Sequence, residues 1–434
     1  MTVIAIRADF LHCLRDPGLD GADAAAVEHV RDGLLLVRAG HIERLGPASE
    51  LLPSVGPDVP VHDWRGRLVV PGFVDTHVHY PQVDVIASHG AQLLDWLERY
   101  TFPAEQRFAD PAHAADAAAF FLDRLLENGT TTASVFCTVH AGSADAFFAE
   151  AARRGLLMLA GKSMMDRNAP VGLRDTAESA YADSRALIER WHGHGRLRYA
   201  ITPRFAASST EAQLALAGRL AAEHPTVHIQ SHVAENRDEV DWVARLFPQR
   251  RSYLDVYDHH GLLRERAVYA HCIWLDDTDR ARLAAAGTAA AFCPTSNLFI
   301  GSGLYDLRQA LAAGHRVGLG SDVGAGTGYS MLRTLGEAYK VQQLLGTSLH
   351  PAYALYLATL GGARALYLDD RIGSLVPGRD ADLAVLDPAA TPLLARRTTL
   401  RDDPLDAIFA LTALGDDRAI AATYAAGVPV HRRA

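Results

Sequence analysis

The sequence predicts an α/β fold: a (β/α)8 TIM-type barrel with a small β-sandwich domain formed by both chain ends. Three observations carry the prediction. Short apolar runs alternate with longer helical patterns through the middle of the chain, both ends carry paired short strands, and 434 residues exceed one ordinary compact domain. The composition, 49% hydrophobic and 21% charged, is that of a globular protein able to bury a large core.

In chain order, MTVIAIRADFLHCLRD reads as a short strand broken by charges, without the basic-then-apolar order of a secretory leader. LLLVRAGHIERLGP (34–47) gives two short strands around Ala39 and Gly40. Eight apolar runs follow: RLVVPGFVDTH, TTTASVF, LLMLAG, LRYAIT, TVHIQSH, AVYAH, AAAFC and HRVGLGSD. Eight is the number that closes a TIM-type barrel, although the count alone leaves an open doubly wound sheet as the alternative. Helical segments intervene, among them 111–129 and 176–193, the second with apolar positions recurring at three and four. Near the C-terminus ADLAVLDP (381–388) and ATYAAGVPV (422–430) give strand, turn and strand. The expected division is 1–66 and 373–434 as the two parts of a composite β-domain, with 67–372 as the barrel.

The net charge of −9, with no lysine or arginine cluster, argues against nucleic acid and acidic membrane surfaces as partners. No apolar run reaches the ~20 residues of a membrane helix, so a cytoplasmic location is expected. Cys13, Cys137, Cys272 and Cys293 form no CxxC pair and read as reduced core residues.

The chemistry concentrates at the ends of the predicted strands. His77 and His79, two residues apart, point to one face of a strand and could grip one ion. An HxH also arises by chance. His232, His271 and Asp322 end the fifth, sixth and eighth runs, and in a barrel all such ends meet on one rim. Three imidazoles and a carboxylate without sulfur suit Zn2+, with Fe2+ as competitor, and leave room for an activated water. The bland alternatives are a core histidine at His271 and an N-cap at Asp322. Glu235, three residues past His232, can move a proton beside that water, or can cap the helix that NRDEVDWVARLF begins.

The wording of these segments is itself informative. PGFVDTHVHYPQ (71–82), AITPRFA (200–206), SHVAENRDE (231–239), AHC (270–272), FCPTSNLFIGSG (292–303) and GSDVGAGTGYSML (320–332) resemble the guanine deaminases of the amidohydrolase superfamily. The resemblance runs from about 65 to 370, and GSLVPGRDADLAVLD (373–387) resembles the composite domain that flanks such barrels. It implies metal ligation by His77, His79, His232 and Asp322, proton transfer by Glu235, and a water oriented by His271 and Asp322. It also implies that Gln82, Arg204 and Phe205 hold the purine, together with Glu235 and His271. Residue chemistry is consistent: a guanidinium matches a carbonyl, a phenyl face stacks, and an amide meets a purine edge. A surface ion pair, a core phenylalanine and a solvated glutamine are the alternatives for these three. The implied reaction is hydrolysis of guanine to xanthine and ammonia in purine catabolism or salvage, with one Zn2+ per subunit of a homodimer.

Three further motifs bear on function. Lys162 invites a bridged two-metal site, but it follows the third run rather than the fourth, which disfavours that reading. The glycines of 318–330 depart from GxGxxG and read as a rim loop. His41 and Glu43 give HxE with no PCxxC, which sets the cytidine-type zinc deaminases aside. Deamination of a pterin, 8-oxoguanine or cytosine, and a catalytically silent binding homologue, are the rival functions. The segment 93–108 suits either a lid or, through its aromatics, a subunit face.

Overall fold

The computed structural model describes residues 3–90, 92–400 and 402–433. Among them the strands in chain order are β1 (Val3–Cys13), β2 (Val27–Arg38), β3 (His41–Pro47), β4 (Val61–Pro71), β5 (Phe73–His79), β6 (Thr130–Phe136), β7 (Leu157–Gly161) and β8 (Ser163–Met164). They continue with β9 (Arg198–Pro203), β10 (His228–Val233), β11 (Ala267–His271), β12 (Ala289–Phe292), β13 (Arg316–Leu319), β14 (Leu383–Leu386), β15 (Ile420–Ala425) and β16 (Val428–Arg432). Two compact units result. One takes the residues up to Val74, Asp123–Thr132 and the chain from Ser330 onward; the other takes Asp75–Leu122 and Ala133–Tyr329.

The first unit holds one mixed sheet of seven strands from both chain ends, in the order β16-β15-β14-β4-β1-β2-β3. Only β1 and β4 pair in parallel. β1 is one unbroken 11-residue strand rather than a short interrupted one, because Arg7 and Asp9 alternate with the buried Ile6, Ala8 and Phe10. A period of two puts the charges on the opposite face without ending the strand. The Ala39–Gly40 turn has φ of 51° and 86°, the paired positive values that two-residue hairpins require. One face of the sheet buries Ile6, Phe10, Leu35, Val69, Leu383 and Tyr424, and the other packs Ala5, Leu34 and Leu36 on Ala48 and Leu51.

The second architectural element is the barrel. Its strands run β5-β6-β7-β9-β10-β11-β12-β13, with β8 a short addition on β9. Every register from β7 to β13 is parallel. The ring is closed past β13, where the Asp322 N–H donates to the His77 carbonyl at 2.9 Å and the His79 N–H to the Val323 carbonyl at 2.8 Å. That closure removes the open-sheet alternative. The run RLVVPGFVDTH is two strands, not one. At Gly72 the backbone changes partners: Gly72 donates to Asp382 and Phe73 donates to Gly129, so β4 stays in the terminal sheet while β5 opens the barrel. All seven residues of β6 are buried, threonines included, as expected of a strand covered on both faces. The helices Pro111–Glu127 and Ala177–Trp191 match the expected segments, and Thr176 and Ser179 form a capping box for the latter.

At β7 the barrel wall leaves no room for a side chain: a Cβ on Gly161 would collide with the Ala200 carbonyl of β9. Gly161→Ala is therefore expected to lower stability by about 1–3 kcal/mol. Urea unfolding followed by circular dichroism checks this, and an unchanged midpoint would contradict it.

All four cysteines are free and buried. Among the described residues no helix is long and apolar enough to cross a membrane.

Candidate active site

The residues proposed for metal, proton transfer and purine lie at or just past the C-terminal ends of barrel strands, where the parallel sheet delivers them to one rim, while His41 and Glu43 lie in β3 of the terminal sheet. His77 and His79 end β5, and because alternate residues share a face, both rings enter the same space. His232 lies near the end of β10 and His271 ends β11, while Asp322 follows β13 with φ of 51°. The Nε2 atoms of His77 and His79 are 3.2 Å apart, and those of His79 and His232 are 3.1 Å apart. Oδ1 of Asp322 stands 3.1 Å from His77 Nε2 and 3.5 Å from His79 Nε2. One ligand atom from each of the four lies within 4.8 Å of the others.

The donor set fits a metal. Nitrogens about 2.0–2.1 Å from a tetrahedral zinc-type ion stand about 3.3 Å apart, close to the spacing found. Burial holds His77 below the usual imidazole range and His79 and His232 well below it, which keeps the rings neutral and their lone pairs available. His232 shows how a ring is aimed. Its Nδ1 lies 2.5 Å from the Arg204 carbonyl, which can only accept, so Nδ1 carries the proton and Nε2 faces the cluster. Burial alone would raise Asp322, but the imidazoles around it, His77, His271 and His232 together, outweigh that and hold the carboxyl down at about 2.

Beside the cluster, Glu235 is 3% exposed and burial pushes its carboxyl up to about 7. A group titrating there can both take and return a proton near neutrality. Its Oε1 accepts from the Ser302 hydroxyl at 2.9 Å and its Oε2 lies 3.3 Å from His271 Nε2. Capping falls to its neighbours: Asn236 and Glu239 form the capping box of the helix Arg237–Leu246. The Glu239 carboxylate also accepts the Glu235 backbone N–H at 3.0 Å, fixing the stem of that side chain. Asp322 caps no helix either, since Ser330 caps Met331–Leu344. The His271 ring is placed by Asn297, whose Oδ1 lies 2.9 Å from Nδ1. Burial would lower the His271 imidazolium, but Glu235 and Asp322 outweigh that and raise it.

A pocket opens over this cluster, and its lining joins His79, His232, Glu235, His271 and Asp322 with Gln82, Arg204, Phe205, Leu93, Trp96 and Leu97. Gln82 and Arg204 are neither solvated nor at the surface: they are 2% and 3% exposed. The segment 93–108 wraps this pocket, and Trp96, Phe102 and Phe108 are buried rather than displayed as an outward face.

Two residues bonded to the pocket lining escape a reading of strand ends. Glu105, in the helix Phe102–Gln106, is fully buried and receives both Arg204 and Gln82. Its signal was an acid inside an aromatic stretch. Ser302 follows the helix Pro294–Phe299 in a rim loop. Lys162 is committed elsewhere, its ammonium paired with Asp175 at 2.5 Å.

The sequence matches the amidohydrolase family model over residues 68–430. The chain belongs to the amidohydrolase family. Members of this family depend on a metal, in agreement with the buried His/Asp cluster. This amidohydrolase is 48% identical over 432 residues to the guanine deaminase of Escherichia coli, covering all of this chain and 98% of that protein. The solved structure of the E. coli guanine deaminase superimposes with a TM-score of 0.98 over 99% of this chain and 100% of that one. A guanine deaminase from C. acetobutylicum, solved with guanine bound in its active site, is 26% identical with a TM-score of 0.88, covering 99% and 100% of the two chains.

Proposed function

We propose that this amidohydrolase hydrolyses guanine to xanthine and ammonia, using one Zn2+ held by His77, His79, His232 and Asp322. The observation that carries the reading is one pocket that brings the convergent metal-type donors and Glu235 together with Arg204, Gln82 and Phe205. The full-length similarity to a guanine deaminase supports the same substrate. When bound, the ion supplies a Lewis acid that acidifies the attacking water.

The remaining steps fall to the chain. Arg204 and Gln82 hold the oxygen-bearing and ring-nitrogen edges, while Phe205 offers a flat face. Glu235 takes the proton of the attacking water and passes it to the ring nitrogen beside the carbon that bears the amino group. His271 and Asp322 orient the water; after it adds to the ring carbon, its remaining proton goes to the amino group, the C–N bond breaks and ammonia leaves with the donors already in place.

The test is ammonia release from a panel of guanine, 8-oxoguanine, cytosine and a pterin by zinc-loaded and iron-loaded protein. Guanine is expected to be the fastest substrate, and the zinc form to be active. Arg204→Ala is expected to reduce turnover of guanine more than that of the other heterocycles in the panel. Preferential release from another heterocycle would replace guanine, and the absence of a stoichiometric ion in active protein would overturn the metal assignment.

A further inference from the structure

Arg204, in the lining of the pocket, belongs to a buried charge pair whose acidic partner, Glu105, has no part in the steps above. Glu105 is fully buried, and both of its oxygens accept from Arg204 Nη1, at 2.8 and 2.7 Å. Oε1 also accepts from Gln82 Nε2 at 3.1 Å, and the Oε1 of Gln82 accepts from the Gly324 N–H at 3.1 Å. A carboxylate only accepts and a backbone N–H only donates, so the Gln82 amide is locked in one orientation from both sides. It has one remaining N–H proton. Arg204 meets Glu105 through Nη1 alone, leaving its other nitrogens for a ligand. Together these side chains therefore offer donors to a ring edge while their net charge is zero.

We propose that Glu105 is a specificity-determining positioning residue: it aligns Arg204 and Gln82 and cancels the guanidinium charge, so that the pocket takes a neutral oxopurine in preference to an anionic one. This rests on the guanine reading above for its choice of ligand. A guanidinium buried to this degree would, if left alone, draw any anion of purine shape into the site. With Glu105 in place, the same donors bind a neutral ring without that bias.

The test compares the metal-loaded wild type with Glu105→Gln, Arg204→Met and the double variant. Calorimetry measures the affinity of each for hypoxanthine, which is neutral, and urate, which is an anion at pH 7. The urate-to-hypoxanthine affinity ratio should rise about tenfold in Glu105→Gln and fall about tenfold in Arg204→Met, because each leaves one desolvated charge beside the ligand. The double variant should return to within about threefold of the wild type, since removing both partners of a buried pair leaves no charge behind.

A role limited to holding the fold would weaken both ligands alike and leave the ratio flat, which overturns the proposal. If Glu105→Gln does not fold, the fall in Arg204→Met and its reversal in the double variant decide the question. Ammonia release from guanine by the wild type is measured alongside. Its absence would reject the substrate reading while the affinity ratios still judge the charge balance.

Discussion

Glu235→Gln is expected to lower kcat for guanine about 10²–10⁴-fold, the range lost when a positioned general acid–base is removed. Bound metal and thermal stability should change little. The expectation follows from what the substitution leaves intact. The amide oxygen still accepts from Ser302, the Glu239 carboxylate still holds the residue's backbone N–H, and Glu235 is not one of the four convergent donors. What is lost is the ability to take a proton and return it. Steady-state kinetics with metal analysis of the same sample distinguishes the cases. A near-normal rate would remove Glu235 from proton transfer, and a fall in metal content matching the fall in rate would make it a structural support.

A comparable loss is expected from Asp322→Asn, for a different reason. Asparagine is the informative replacement because the backbone at this position has φ of 51°, a conformation that Asn and Asp tolerate and most other residues do not. The ring-closing bond from the Asp322 N–H to His77 also survives. The charge alone is removed. Since Lewis-acid activation contributes several kcal/mol and about 1.4 kcal/mol corresponds to tenfold, kcat should fall about 10³-fold or more. Added Zn2+ should raise the melting temperature of metal-free wild type but raise that of the variant less, as mass action requires of a weakened site. Equal zinc-induced stabilisation of the two proteins would show that Asp322 does not hold the ion.

The metal-type cluster was legible in the sequence because barrel topology turns strand ends into neighbours. His77, His79, His232, His271 and Asp322 each close an apolar run, and a closed ring of parallel strands leaves them nowhere else to meet. Gln82, Arg204 and Phe205 were less legible from the residues themselves, since a glutamine, an arginine and a phenylalanine have ordinary roles in any loop; similarity of wording pointed to them. Glu105 was not legible. It reaches Arg204 and Gln82 from a helix of the segment 93–108, and no period or strand end marks a side chain that turns inward there. The strand boundary at Gly72 escaped for a related reason. Apolar character continues through residues 67–77 while the hydrogen-bond partners change, and hydropathy does not record partners.

The Arg204 carbonyl fixes the tautomer of His232 while the side chain of the same residue lines the pocket. Under the proposed reading, one residue serves two tasks through chemically separate parts, and that separation constrains how new specificities can arise. Exchanging the side chain at 204 alters what the enzyme accepts and spares the carbonyl. Inserting or grafting residues into the stretch after β9 moves the carbonyl as well, and with it the ring that it aims. Substrate range in this scaffold is therefore open to point substitution and closed to loop transplantation at that strand end.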